Sequence, residues 1–232
     1  MNNSKVLVTP RTVIQLLFFL VLLPILPMLI AWRWDWFEAW AYAILTLLSF
    51  IISRLLAARR HPDLIAERSR FMQHEDAKDW DKKLVPWMGL WGIPSMVVIG
   101  LDELLGWSPP FSPPVRVTGF LLILCGYALS AYALVENRFF SGMVRLQTER
   151  GQHVISSGPY RWLRHPGYAG GLLTFLGTPL LLDSSWAFIP TIITIGLYVL
   201  RTSLEDRTLQ NELPGYAEYA RRVKYRLFPG IW

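Results

Sequence analysis

Four apolar blocks constrain this 232-residue chain more than any other feature: residues 12–30, 37–56, 84–105 and 115–135. Each block is about 20 residues long and carries few charges, which is the length at which a helix crosses the hydrocarbon core of a bilayer. The first block is too long, and is followed by residues too bulky, to be a cleaved signal peptide. The sequence therefore predicts an all-helical, polytopic integral membrane protein.

A fifth apolar stretch, residues 170–200, is interrupted by Asp183, Ser184 and Ser185. At about 1.5 Å per residue, each of its two arms is a little short of a full span. We interpret the stretch as a helical hairpin that counts as one or two spans, which gives about five transmembrane elements in all. The sequence divides into N-terminal transmembrane helices (1–136) and a C-terminal core with the hairpin and a tail (137–232).

Lysine and arginine are distributed unequally among the connecting segments. Residues 54–83, residues 137–165 and the tail are basic, whereas residues 106–114 contain neither residue type. The positive-inside rule then places both termini and the basic segments in the cytoplasm. This one-sided distribution explains the net charge of +6, so a nucleic-acid partner is not predicted, and membrane lipids are.

The single cysteine, Cys125, lies inside the fourth block. It has no partner for an internal disulfide or a Cys-x-x-Cys metal site. We expect a small core residue there, and no metal site is predicted.

Two Arg-His-Pro triplets, at 60–62 and 164–166, have different neighbours. The first is typical of a span end followed by a proline-initiated helix. The solvated face of this interfacial helix is expected to contain Glu67, Arg68, Arg70 and Glu75. The second triplet follows Gly158-Pro159-Tyr160 and leads into glycines that let a ligand approach the backbone N–H groups of a helix start. From the residues alone, it is either a small-molecule site or an aromatic interfacial anchor.

A second polar cluster follows the hairpin. Arg201 and Glu205 are four residues apart, on one helical face, and Asp206 comes next. An exposed pair of this kind contributes only about 0.3–0.5 kcal/mol. A hairpin, however, returns these residues to the membrane face that holds the second triplet, so the two polar clusters are expected to meet.

Together these motifs resemble the isoprenylcysteine carboxyl methyltransferase family. The matching residues run from Gly158-Pro159-Tyr160 through Arg164-His165-Pro166-Gly167-Tyr168-Ala169-Gly170 and Arg201 with Glu205 to Gly215-Tyr216-Ala217-Glu218-Tyr219 with Arg222-Val223. The related phospholipid N-methyltransferases share the Arg-His-Pro-x-Tyr-x-Gly part. The likeness covers the chain from about residue 145 onward.

The resemblance implies a membrane methyltransferase that binds S-adenosylmethionine in a cytosolic-side pocket and takes a lipophilic substrate from the bilayer. It implies that Arg201 meets the substrate, that Arg201 and Glu205 are catalytic, and that Asp206 ranks below Glu205. The implied cofactor-binding residues are Gln147, Gln152, His153, Val154, Ile155, Tyr160, His165, Pro166, Gly167, Tyr168 and Glu205.

The residue types suit this chemistry. Methyl transfer from a sulfonium mainly requires aligned reactants and the exclusion of water. A carboxylate acceptor is already ionised and needs orientation, which an arginine fork such as that of Arg201 provides. An amine acceptor needs a base, for which His165 and Glu205 are candidates.

The carboxylate of an isoprenylcysteine-like substrate is the favoured acceptor, and a phospholipid or other amine is the alternative. A membrane NADPH-dependent sterol-type reductase also has a related His-Pro-x-Tyr-x-Gly stretch, and a non-catalytic scaffold is a third class. The acceptor's identity and the oligomeric state stay open.

Overall fold

The computed structural model describes residues 10–70 and 73–232, and all regular structure within these ranges is helical. A π-helical turn, Phe18–Leu22, joins the first two helices, and Thr148–Arg150 and Gly158–Arg161 form short 3₁₀ turns. The α-helices are α1 (Pro10–Leu17), α2 (Leu23–Ala31), α3 (Phe37–Arg60), α4 (Pro62–Ser69), α5 (Asp79–Leu105), α6 (Pro113–Glu136), α7 (Pro166–Leu181), α8 (Phe188–Glu212) and α9 (Tyr216–Arg222).

Five segments are long and apolar enough to cross a membrane. Four of them, Val13–Ala31, Phe37–Arg60, Asp79–Leu105 and Pro113–Glu136, correspond to the four predicted blocks, and the fifth is α8. Their outward faces are apolar; on α3, for example, Ile44, Leu48, Ile51 and Leu55 are exposed. A surface of this kind is stable in lipid rather than in water. The predicted all-helical integral membrane fold is therefore confirmed.

The predicted hairpin consists of α7 and α8, and it turns where the sequence placed the break. Its arms are unequal. With 16 residues, α7 is about 24 Å long, whereas α8 has 25 residues because it continues through the charged segment after Leu200. The turn is fixed by the buried Asp102, which accepts hydrogen bonds from Ser108 and Ser184.

Helices α6 and α7 are in backbone contact along a glycine seam. A Cβ added to Gly126 would lie 2.5 Å from the carbonyl oxygen of Gly170, and one added to Gly177 would lie 2.5 Å from that of Gly119. In each helix the two glycines are seven residues apart, so they share a face. The seam holds the end of α6 beside the start of α7, and the connecting residues 137–165 must therefore fold over that end of the helix pair.

The predicted core position of Cys125 is wrong, because this side chain is exposed. Its neighbour Gly126 faces the seam. Since successive residues of a helix are rotated by about 100°, Cys125 lies on the outward side of α6.

Candidate active site

A cavity of about 330 Å³ lies where the start of α7, the middle of α8, α9 and the 137–161 segment meet. Its volume falls within the usual range for small-molecule sites. Eleven of the twelve predicted site residues line it: Gln147, Gln152, His153, Val154, Ile155, Tyr160, His165, Gly167, Tyr168, Arg201 and Glu205. The twelfth, Pro166, is buried at the first position of α7, outside the lining.

The two polar clusters meet across the hairpin. The Tyr168 hydroxyl donates a hydrogen bond to a Glu205 carboxylate oxygen at 2.6 Å. His165 Nε2 lies 3.2 Å from an oxygen of Asp206, and because a carboxylate only accepts, Nε2 carries the proton in this contact. The antiparallel packing of α7 and α8 thus unites residues that are about 40 positions apart in the sequence.

Asp206 connects several parts of the site through hydrogen bonds. It is fully buried and accepts hydrogen bonds from the Tyr216 hydroxyl at 3.0 Å, Arg226 Nε at 2.9 Å and Gln210 Nε2 at 2.8 Å, besides its contact with His165. Burial, and next the negative charge of Asp206, raise the pKa of Tyr216. This carboxylate therefore ties α8, α9 and the C-terminal tail to the second triplet.

The tail also pairs with the triplet through the main chain. The N–H of Arg164 donates to the carbonyl of Tyr225, and that of His165 donates to the carbonyl of Arg226, each at 2.9 Å. Tyr219 adds a hydrogen bond from its hydroxyl to the Tyr160 carbonyl at 2.8 Å. The residues just before α7 are consequently held in place by the last part of the chain.

Arg201 is held by a carboxylate that the sequence analysis missed. Its Nε and Nη2 donate to the two oxygens of Asp81 at 2.7 and 2.9 Å, and Nη2 also donates to the Gly142 carbonyl at 2.9 Å. Asp81 is fully buried and accepts a further hydrogen bond from the N–H of Val144. In the sequence, Asp81 is one of two acids in the first turn of α5, a position that usually indicates only a favourable interaction with the helix dipole.

Glu205 differs from its neighbours in charge balance. Asp81 is neutralised by Arg201, and Asp206 by Arg226. Among the side chains of residues 13–70 and 73–232, which the structure describes, no cationic group lies within 4 Å of the Glu205 carboxylate, and its hydrogen-bond partner is the neutral hydroxyl of Tyr168. The cavity therefore contains a carboxylate that is suited to a cationic ligand group.

The wall of the cavity opposite the hairpin is the loop around Gln147. This residue is fully buried. Its Nε2 donates to the Phe139 carbonyl at 2.8 Å, and its backbone N–H donates to Gln152 Oε1 at 2.6 Å. Gln147 shapes the loop through these internal bonds. His153 packs edge-on against the Phe139 ring, and the next two residues, Val154 and Ile155, line the cavity.

Arg145 fastens this loop to α4 and the segment after it. Its guanidinium contacts Glu67 at 2.9 Å, Asp76 at 2.8 Å and Glu149 at 2.7 Å. Burial disfavours the cation, but the hydrogen bonds to these carboxylates outweigh it and raise the pKa of Arg145. The expected solvated face of α4 is therefore wrong for two residues. Glu67 turns inward to Arg145, and Arg68 lines the cavity, because the loop packs onto α4 and removes that face from water.

Fold and cavity together define a polytopic helical membrane protein with a polar site at one end of a hairpin. Residues 115–214 match the model of the phospholipid methyltransferase family. The resemblance to the isoprenylcysteine carboxyl methyltransferase and phospholipid methyltransferase group is thus confirmed for this part of the chain, which contains α6, α7, α8 and most of the cavity.

Several curated proteins resemble this chain in sequence, and a solved structure resembles it in fold. A probable protein-S-isoprenylcysteine O-methyltransferase of Oryza sativa is 29% identical over 112 residues, 47% of this chain and 59% of the relative. The corresponding enzyme of Saccharomyces cerevisiae is 32% identical over 115 residues, 46% of each chain. The chain therefore matches 59% of the length of the first relative and 46% of the length of the second. The structure of the eukaryotic intramembrane Ras methyltransferase, isoprenylcysteine carboxyl methyltransferase, superposes with a TM-score of 0.62 at 18% identity, covering 92% of this chain and 74% of that one.

Proposed function

We propose that this protein is a membrane-embedded, S-adenosylmethionine-dependent methyltransferase that methylates the carboxylate of a lipophilic, isoprenylcysteine-like acceptor. The observation that carries the proposal is the cavity in which Glu205, His165 and Tyr168 converge inside the segment that matches the family. The names of the relatives support the carboxylate acceptor.

The cavity fits the cofactor by its donor set. Glu205, which has no cation within 4 Å in the described chain, suits an ammonium group. The rings of Tyr160 and Tyr198 are of the kind that attract a sulfonium, whereas the Tyr168 ring already contacts the guanidinium of Arg201. The start of α7 and the 152–155 stretch offer backbone groups for the carboxylate and the adenosine. When bound, S-adenosylmethionine supplies an electrophilic methyl group.

The chain's own contribution is to hold the acceptor, align it and exclude water. A carboxylate acceptor is ionised at neutral pH, so no general base is required. The Nε and Nη2 edge of Arg201 is occupied by Asp81 and Gly142, which leaves Nη1 to contact the acceptor. In this proposal, Arg201 stabilises the cavity wall and contributes one donor, Nη1, and Glu205 orients the cofactor.

The site lies at the end of the helices that is associated with the basic segments 54–83 and 137–165 and with the tail. The positive-inside rule favours the cytoplasm for that end. We therefore place the cavity and both termini on the cytosolic side, with the acceptor supplied by the bilayer.

The description of the matching family favours one second candidate, methylation of a phospholipid amine. Such an acceptor must lose a proton before or during transfer, and Glu205 is the carboxylate available in the cavity. His165 is less suitable because its Nε2 is engaged by Asp206. The two candidates differ in the acceptor and share the cofactor.

The test begins with the purified full chain in detergent, titrated with S-adenosylmethionine, its demethylated product or NADPH while the melting temperature is followed. The first two ligands should stabilise the protein, by about 2.7 kcal/mol at a concentration of 100 times Kd, and NADPH should not. Glu205→Gln should remove the shift. Glu212→Gln, on the same helix but paired with Lys78, should preserve it.

Methyl transfer is then measured with a farnesylated N-acetylcysteine and with phosphatidylethanolamine. Transfer to the carboxylate supports the proposal, and transfer to the amine lipid alone favours the second candidate. Stabilisation by NADPH without stabilisation by S-adenosylmethionine would refute both and indicate a reductase.

A further inference from the structure

A second cavity, of about 250 Å³, lies between the π-helical turn, α3 and α6. Its apolar lining includes Leu20, Phe50 and Leu134. Hydroxyl groups line it as well, from Thr46, Ser49, Ser53, Tyr127 and Ser130. Most of these hydroxyl groups already form hydrogen bonds within the protein: Thr46, Ser53 and Ser130 donate to backbone carbonyls, and Tyr127 contacts Thr46. The uncharged part of the lining therefore offers a ligand mainly apolar surface.

Two arginines, Arg54 and Arg68, also line this cavity. Arg54 has only a long contact, 3.5 Å, with Ser53 Oγ and lies over the Phe50 ring. Arg68 donates to the Phe140 carbonyl at 3.0 Å and lies over the Phe140 ring. Both are half-buried, yet neither forms an ion pair within the described residues.

The missing counter-charge is not hidden in the undescribed parts of the chain. Residues 1–9, residues 71–72 and the side chains of residues 10–12 include no aspartate or glutamate. The other half-buried arginines in the described part of the chain, Arg116, Arg150 and Arg226, each pair with a carboxylate. A pair of adjacent unneutralised guanidinium groups is costly unless an anion completes it.

The pKa of Arg68 is also consistent with a cation that lacks a counter-charge. Burial, and next the positive charge of Arg54, lower the pKa of Arg68 to about 9. The side chain is still cationic at neutral pH, but its charged form is poorly compensated. An anion bound between the two guanidinium groups would remove both their mutual repulsion and the desolvation penalty.

The second cavity adjoins the first. Arg68 and Phe140 line both, so these two residues form the wall between them. A ligand whose anionic group is held at Arg68 therefore has that group at the edge of the cavity that contains Tyr168 and Glu205.

We infer that the second cavity binds the lipophilic acceptor, with Arg54 and Arg68 holding its carboxylate and the apolar surface of α3 and α6 holding its chain. This inference rests on the proposed function and assigns the acceptor's charge recognition to these two arginines, since the fork of Arg201 is occupied by Asp81. Methyl transfer replaces the carboxylate by a neutral ester. The two arginines then have no negative charge on the ligand to bind. The same site therefore distinguishes substrate from product and favours product release.

The test compares equilibrium binding of a tritiated farnesylated N-acetylcysteine with that of its methyl ester, using the full chain in detergent. The unmodified protein should bind the acid at least about tenfold more tightly than the ester, which is the effect of one charge-assisted hydrogen bond. Arg54→Gln, which changes a residue of the second cavity alone, should bring this ratio close to one and leave the melting shift with S-adenosylmethionine unchanged. Arg68→Gln should also bring the ratio close to one. Arg54→Lys and Arg68→Lys, which keep the charge, should retain part of the preference and show that the glutamine variants fail for lack of charge rather than of folding.

Matched controls are Arg59→Gln and Arg70→Gln, which change exposed arginines close to the same two positions. Both should keep the full preference for the acid. An unchanged ratio in the Arg54→Gln and Arg68→Gln proteins, or an equal loss in the controls, overturns the inference.

Two further outcomes are informative. If phosphatidic acid competes in an Arg68-dependent way while acid and ester bind equally, the cavity is a membrane-lipid site and the acceptor assignment is wrong. If the acid preference and its arginine dependence are present but S-adenosylmethionine does not stabilise the protein, the anion site stands and the proposed function fails.

Discussion

The two Arg-His-Pro triplets have nearly the same backbone and opposite surroundings. His61 has φ −139° and ψ 80°, and His165 has φ −130° and ψ 61°; each precedes the proline that begins a helix, α4 or α7. His165 contacts Asp206 and Tyr216. The buried Nε2 of His61, in contrast, has no hydrogen-bond partner in the described part of the chain.

The arginines differ in the same way. Arg60 pairs with Glu136 at 3.0 Å, but half of its side chain is exposed. Arg164 is almost fully buried and lies 3.3 Å from Asp206. The local sequence thus sets a helix start in both places, and partners 41 and 51 residues further along the chain give the second one its polar environment.

The largest expected difference concerns the carboxylates behind the two triplets. Asp206→Ala should destabilise the protein by about 3–5 kcal/mol, because it leaves buried charged and polar partners uncompensated. Glu136→Ala, which removes the carboxylate beside Arg60, should cost about 1 kcal/mol or less, as expected for a pair with an exposed partner. Melting temperatures in detergent measure both. Similar losses would show that the two triplets are supported alike.

The next effect separates the histidines. His165→Ala should weaken binding of S-adenosylmethionine by on the order of ten- to a hundredfold, the range for a lost hydrogen bond to a charged group. His61→Ala should leave the affinity unchanged. Isothermal titration with the purified variants provides the measurement, and equal behaviour of the two variants would contradict the assignment of the site to the second triplet.

The smallest effect concerns the position four residues after each proline, which is Gly170 in α7 and Ala66 in α4. Gly170→Ala should cost about 1–3 kcal/mol, since the new methyl group meets the backbone of α6 and the helices must separate. Ala66→Gly should cost about 1 kcal/mol through helix propensity alone. Chemical denaturation compares the two, and a Gly170→Ala protein as stable as the unmodified one would show that the seam adapts.

Much of this fold is predictable because lipid enforces a simple rule on sequence. Blocks of about 20 apolar residues must be helices, and the break at Asp183 gave the hairpin. The hairpin in turn predicted the meeting of Glu205 with Tyr168. The apolar pattern stops at Leu200, and the four-residue spacing of Arg201 and Glu205 predicted that the helix continues. The partners that bury Arg201 and Asp206 were not predictable, because Asp81 and Arg226 lie far away in the sequence.

The site residues that were missed share one cause. Asp81 and Arg68 lie on helix segments whose charge patterns are those of solvated surfaces, and they are buried because a distant loop packs over them. Asp81 receives Arg201, 120 residues away, and Arg68 is covered by Phe140. The periodicity of one helix cannot show that a distant loop will pack over it.

The glycine seam has a mechanical consequence. No layer of side chains separates α6 from α7, so sliding or rotating either helix would press a side chain onto the backbone of the other. The two helices therefore form one rigid unit. The 137–165 segment is attached to this unit at both ends, so the cavity wall moves with it. On the other side of α6, a hydrogen bond between Thr46 and Tyr127 joins this helix to α3.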